Sequence, residues 1–170
     1  MKKISSLLVF LAILLSGQNT IAQLSGTYSI DSTGVGDYQT FTAAVSDLST
    51  YGVNGPTVFL VEPGTYNEQI VIPTISGASA TNTITFSGNA ADSLSVVLTF
   101  NQSSFPANHV VKLDGADHIK FQKLSIQSTG LFYSKVIIFE NQASYNTLSN
   151  CHIVGQSVSY NYEDNAVISS

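Results

Sequence analysis

From Thr57 onward, short apolar runs alternate with clusters of Gly, Asn, Asp and Ser. Thr57–Val61 (TVFLV) predicts a strand, Glu62-Pro63-Gly64 a turn, and Tyr66–Ile72 (YNEQIVI) a second strand with Ile70 and Ile72 on one face. Thr83–Phe86 (TITF) and Leu94–Phe100 (LSVVLTF) predict two more, set off by the loop at Pro73–Asn82 and by another through Pro106. Upstream, Gly26–Ile30 reads as a first strand, and Ala166-Val167-Ile168 begins a last one. Helical periodicity is confined to Phe41, Ala44, Val45 and Leu48, which fall at i, i+3, i+4 and i+7. Thr40 is the N-cap, while Gly52 and Pro56 end the helix. One amphipathic helix ahead of many strands has a natural place across the apolar end of a stack.

The later strands repeat. Val110–Ser128 (VVKLDGADHIKFQKLSIQS) is echoed by Val136–Gly155 (VIIFENQASYNTLSNCHIVG). Phe121, Leu124 and Ile126 return as Leu148, Cys151 and Ile153, each 27 positions on, whereas Leu113 returns as Phe139 at 26. A repeat of one short strand set and one polar corner marks a chain that stacks like upon like. A β-sandwich would need hairpins with two-residue turns between matched strands. Asp114-Gly115 instead recurs as Glu140-Asn141 in the next unit, as a corner does. The pattern therefore predicts an all-β parallel β-helix, with Phe121 under Leu148, Leu124 under Cys151 and Ile126 under Ile153. Five or six rungs at ~4.8 Å give a column ~25–30 Å tall.

The first residues carry a different pattern. Lys2 and Lys3, the apolar run Leu7–Leu15 and the small-residue site Thr20-Ile21-Ala22 read as a signal peptide spanning 1–22. The domain reading is then 1–22 leader, 23–56 strand and capping helix, and 57–170 rungs that enter a strand at the C-terminus without a cap. An open rung exposes a pairing edge, so further rungs or a partner are expected there. No later stretch reaches the ~18 apolar residues of a membrane span. Without the leader, four lysines face 11 acids, a formal charge of −7, and the chain has no Arg. That excludes the basic face a nucleic-acid partner requires. With 10% charged residues, the polar surface comes from Ser, Thr, Asn and Gln, groups suited to hydrogen-bonding sugars.

Asp37–Val45 (DYQTFTAAV), followed by Val58–Ile72 (VFLVEPGTYNEQIVI), resembles the N-terminal cap and first rung of pectin methylesterase-like proteins. Asp114–Ile126 (DGADHIKFQKLSI) resembles a middle rung of the same pectin-lyase-like superfamily. Gly26–Val45 with Gly64–Ile84 is similar to the N-terminal region of large secreted surface proteins of Bacteroidetes-type bacteria. The resemblance implies a right-handed β-helix with one short N-terminal capping helix. In its esterases two aspartates, glutamines and an arginine act on rungs beyond the cap. Its pectate lyases use an arginine or lysine base with a calcium-binding acidic cluster. This chain has no Arg and no Gly-x-x-Asp-Phe-aromatic segment, so neither set carries over. Within the shared motif, Gly64 forms the corner, Tyr66 lies across the first rung, and Glu68 accepts from backbone donors in a turn.

Other candidate chemistry is sparse. Polygalacturonase-like hydrolysis needs two carboxylates, for which Asp114, Asp117 and Glu140 are the candidates. Their corner positions equally suit turn hydrogen bonds. His109, His118 and His152 do not stack, so no zinc site is expected; nor is any cofactor. Asp31 and Asp37 lack an EF-hand ligand ladder, and their segment is read as a connecting loop. Cys151 diverges from His152 along a strand and replaces Leu124 in its column, so it is expected to be buried and inert. Tyr133, Tyr145, Tyr160 and Tyr162 gather in the late rungs, where exposed rings can stack on sugars or pack on corners. The leading expectation is a secreted, non-catalytic β-helix for adhesion or glycan binding at the cell surface. The alternatives are the N-terminal part of a polysaccharide-degrading enzyme and a structural spacer. The expected partner is an extracellular polysaccharide or surface glycan.

Overall fold

A computed structural model describes residues 22–102, 104–130, 134–155 and 167–169. All of the leader read at 1–22 except Ala22 lies outside them. Strand β1 (Leu24–Ile30) and helix α1 (Phe41–Tyr51) precede four turns of three strands each. The first turn is β2 (Val53–Val61), β3 (Gly64–Asn67) and β4 (Ile70–Pro73), and the second is β5 (Ile84–Gly88), β6 (Val96–Phe100) and β7 (Val111–Asp114). The third is β8 (Ile119–Gln122), β9 (Ser125–Ser128) and β10 (Ile137–Glu140), and the fourth is β11 (Thr147–Ser149), β12 (His152–Val154) and β13 (Val167–Ser169). Three parallel sheets result, in the orders β1-β2-β5-β8-β11, β3-β6-β9-β12 and β4-β7-β10-β13. The architecture is the expected right-handed parallel β-helix, with four turns among the described residues where five or six were predicted.

Like positions stack because the ladders run in register. Phe59 pairs with Phe86, Phe86 with Phe121, and Phe121 with Leu148. Their rings form a ladder, with centroids 4.9 Å apart for Phe59–Phe86 and 5.4 Å for Phe86–Phe121 at interplanar angles of 14° and 15°. The second sheet stacks Tyr66, Leu98, Ile126 and Ile153, and the third stacks Ile72, Leu113 and Phe139. The predicted pairs at 27 residues are therefore in place. In the fourth turn Leu148, Cys151 and Ile153 are only partly buried.

Two strand assignments change. Tyr66–Ile72 is not one strand but β3 and β4, with a corner at Glu68-Gln69 that carries no Gly or Pro. β2 begins at Val53 rather than Thr57, so Pro56 lies within it. Pro56 falls where the pairing with β1 shifts register, a place where its missing N–H costs no ladder bond.

The helix closes the lower end as expected. Thr40 accepts from Ala43 N at 3.0 Å, and Gly52 (φ 68°) ends the helix with its N–H on Leu48 O. Phe41, Ala44, Val45 and Leu48 are buried, and the Phe41 ring meets Tyr66 edge-on at 5.2 Å. The Tyr66 hydroxyl donates toward Ile30 O and Glu62 O, and burial raises its pKa. Glu68 does not serve a turn. Its carboxylate accepts from Phe41 N at 3.0 Å, Thr42 N at 2.8 Å and the Thr42 hydroxyl at 2.6 Å. The β3–β4 corner thus supplies the anion that a helix N-terminus favours.

Charged acceptors of this kind contribute about 1.5–3 kcal/mol per bond. Because Glu68 is half-exposed, Glu68→Ala is expected to cost ~2 kcal/mol and Glu68→Gln less, read as urea midpoints. An unchanged midpoint in Glu68→Ala would remove the latch. Phe86→Ala, at the centre of the aromatic ladder, should cost ~3–5 kcal/mol. The exposed Leu94→Ala should stay within ~0.5 kcal/mol. Equal effects at both positions would contradict the ladder's importance.

Candidate functional site

The connection between β6 and β7 flanks one cleft. After β6 the chain runs through residues 101–110, with a short 3-10 turn at Phe105–Ala107, before entering β7. This segment is held from both sides. From the turn below, Gln69 Nε2 donates to Ala107 O at 2.6 Å and His109 O at 2.8 Å. From the turn above, Lys135 N donates to Asn108 Oδ1 at 3.2 Å, while Gln102 Nε2 donates to Lys135 O at 3.0 Å. Ser128 Oγ completes the buried chain by donating to Gln102 Oε1.

The cleft, about 250 Å³, lies between this segment and the outward face of the third sheet. Pro106, Asn108 and His109 line one side, and Lys112, Lys135, Ile138 and Glu140 the other. Asn108 and His109 are 3% and 6% exposed. Asn108 Nδ2 and His109 Nε2 have no hydrogen-bond partner. Burial holds the His109 imidazole below its ordinary pKa of 6.5. Lys112 adds to that depression and Glu140 opposes it. On the outer face, Lys112 Nζ stands 3.6 Å from Asp114 Oδ2 and 3.4 Å from Glu140 Oε2. The floor is therefore neutral and hydrogen-bonding, and the wall carries a shared ion cluster. This suits binding of a polar, uncharged group.

The residues singled out in the sequence take separate places. Glu140 stacks on Asp114 in register, with Lys112 between their carboxylates. Asp114 also accepts from Asn141 Nδ2, and Asp117 accepts from Ser144 N at 2.6 Å. Asp114 and Asp117 thus both serve the corner of the next turn. Tyr145 is 76% exposed and lies flat on His118, 5.0 Å away at 7°, outside the cleft lining. Tyr133, Tyr160 and Tyr162 lie outside the described residues. Cys151 is half-buried rather than buried, with its thiol facing Phe121 O and Ser149 O. Burial raises its pKa, which disfavours the thiolate. His152 is exposed. Asp31 accepts from Thr33 and Asp37 from Ser29, stitching their loop; the Ser29 N–H and hydroxyl lower the Asp37 pKa. Among the described residues no three His, Cys, Asp or Glu side chains are grouped to hold a metal. No described helix is long and apolar enough to cross a membrane.

Sequence reasoning placed His109 only as preceding a strand and passed over Asn108, Lys112 and Lys135. The available signal was a polar pair, Asn108-His109, wedged between Pro106 and the apolar Val110-Val111.

His109 has a lowered folded pKa, so the unfolded chain takes up its proton first as pH falls. Stability from this residue is complete above pH ~7 and declines as pH drops below 6.5 toward the folded value. Urea midpoints measured from pH 8 to 5 should show this decline in the native chain and a smaller one in His109→Gln. Identical pH profiles would contradict the neutral, buried imidazole.

No family model matches this chain. It is 40% identical over 76 residues to a pectinesterase of Aspergillus niger, a match covering 45% of this chain and 22% of the relative. In three dimensions it is similar to the pectin methylesterase from Aspergillus niger in deglycosylated form, at 18% identity and TM-score 0.59. That likeness covers 82% of this chain and 46% of the other. It is also similar to the rice weevil pectin methyl esterase, at 16% identity and TM-score 0.58, over 94% of this chain and 52% of the other. The chain spans about half the length of these solved structures and under a quarter of the curated relative. In fold, the chain stands with the right-handed parallel β-helices of the pectin methylesterases.

Proposed function

We propose that this chain supplies the N-terminal rungs of an exported, pectin-esterase-like carbohydrate-active protein, and that the outward face of its third sheet binds polysaccharide. The observation that carries this reading is the 40% identity over 76 residues to a pectinesterase. The cleft at Asn108 and His109 supports it, because sugar recognition needs clustered hydrogen-bonding groups beside an apolar wall. Within this reading residues 1–22 are a leader, 23–56 a cap and 57–170 the rungs. Bond cleavage is not assigned to Asp114, Asp117 or Glu140, whose carboxylates hold corners and Lys112. A second reading, non-catalytic display at the cell surface of a Bacteroidetes-type bacterium, draws on the same committed acids and on the absence of Arg.

Immobilised chain should retain pectin while releasing neither methanol nor reducing sugar, and Asp114→Asn and Glu140→Gln should not change that outcome. Turnover abolished by either substitution would bring catalysis into these rungs. No retention at millimolar sugar would remove polysaccharide binding altogether. Methanol release by the full gene product favours the esterase-like reading, and retention without release favours display.

A further inference from the structure

We propose that the cleft recognises a neutral hexosyl unit through its hydroxyls and disfavours a uronate carboxylate; this rests on the polysaccharide reading above. Asn108 and His109 both line this cleft, and Asn108 Nδ2 and His109 Nε2 are buried polar atoms, each on a side chain more than nine-tenths buried and each without a partner. Leaving such groups unpaired is unfavourable, and a fitting ligand recovers the loss. A hydroxyl both donates and accepts, so it satisfies an amide N–H together with an imidazole nitrogen in either tautomer. A carboxylate only accepts, so it satisfies the imidazole in one tautomer alone, the one with its proton on Nε2.

The charges of the cleft point the same way. Two carboxylates, Asp114 and Glu140, share the single ammonium of Lys112, so that cation is already spent. Lys135 also makes interactions of its own. An incoming anion would meet Glu140 in the lining and Asp114 behind Lys112, in a chain of formal charge −5. A neutral ring meets no such opposition. It can also lay its C–H face against Pro106 and Ile138, the apolar residues of the lining. The cleft's 250 Å³ is below the ~300–1,000 Å³ of drug-sized pockets, which fits one ring held at a time.

Calorimetric titration of the purified chain with β-1,4-galactan and with polygalacturonate, at one ionic strength, tests the assignment. Galactan should bind at least ~10-fold more tightly than polygalacturonate, the effect of one well-placed hydrogen-bond difference. Asn108→Asp keeps the acceptor for Lys135 N–H but replaces the free donor with a carboxylate oxygen, and should weaken galactan by ~10-fold. The Asp114→Asn/Glu140→Gln pair should raise polygalacturonate affinity, a gain that misfolding cannot produce. Polygalacturonate bound as tightly as galactan overturns the preference while leaving polysaccharide binding in place. If neither polymer binds, the underlying polysaccharide reading fails with it.

Discussion

In-register parallel stacking is the constraint from which the rest of this molecule follows. Each strand satisfies its backbone donors and acceptors only through the strands of the turns below and above it, so a residue in one turn lies over its counterpart in the next. Phe59, Phe86 and Phe121 become a ladder of rings, and Tyr66, Leu98 and Ile126 become a column on the neighbouring sheet. Length differences between turns cannot be absorbed within strands without breaking these columns. They are expelled to the corners, where residues 74–83, 89–95 and 101–110 form the longer connections of the first two turns. The same constraint leaves an unpaired end below the first turn. Helix α1 covers it, and Glu68 fixes the helix there by binding its first N–H groups from the rung itself.

This explains which parts of the fold were legible. The third and fourth turns share a tight corner between the first and second sheets, at Lys123-Leu124 and Asn150-Cys151, so their columns recur at 27 residues and the repeat shows in the sequence. The Phe86–Phe121 step spans the long second-turn loops, and the same stacking leaves no fixed period to read. Corners that use Gly or Pro announced themselves. Glu68-Gln69 did not, because side chains rather than backbone freedom hold it. Lys123, Asn150, His118 and Tyr145 all turn the chain at φ of 52–59°. Of these Asn and His are enriched in that region, so local sequence carried little warning at Lys123 and Tyr145.

The candidate site was less legible for a related reason. Asp114, Asp117 and Glu140 were visible as acids at corners, and their local context already suggested the hydrogen bonds they make. Asn108 and His109 acquire their burial from residues far along the chain. Gln69 reaches Ala107 and His109 across separations of 38 and 40 residues, and Lys135 reaches Asn108 across 27. No window of local sequence contains those partners. Tyr145 shows the same dependence, since the sequence left both an exposed ring and corner packing open, and its flat contact with His118 depends on register between turns.

The solenoid thereby separates what holds it together from what it presents. Inward positions are bound to their columns, and a change there is felt by the rungs on both sides. Outward positions and corner connections carry no such obligation, so a longer connection can raise a wall beside a sheet without disturbing a column. Residues 101–110 do this next to the third sheet. Gln69 below and Lys135 above fasten the insertion to its neighbouring turns, which makes it part of the stack rather than a loose loop. A polar floor can then be kept dry and fixed in position, as Asn108 and His109 require, because its support comes from three successive turns. The cleft is consequently a property of adjacent rungs acting together, which no single repeat contains.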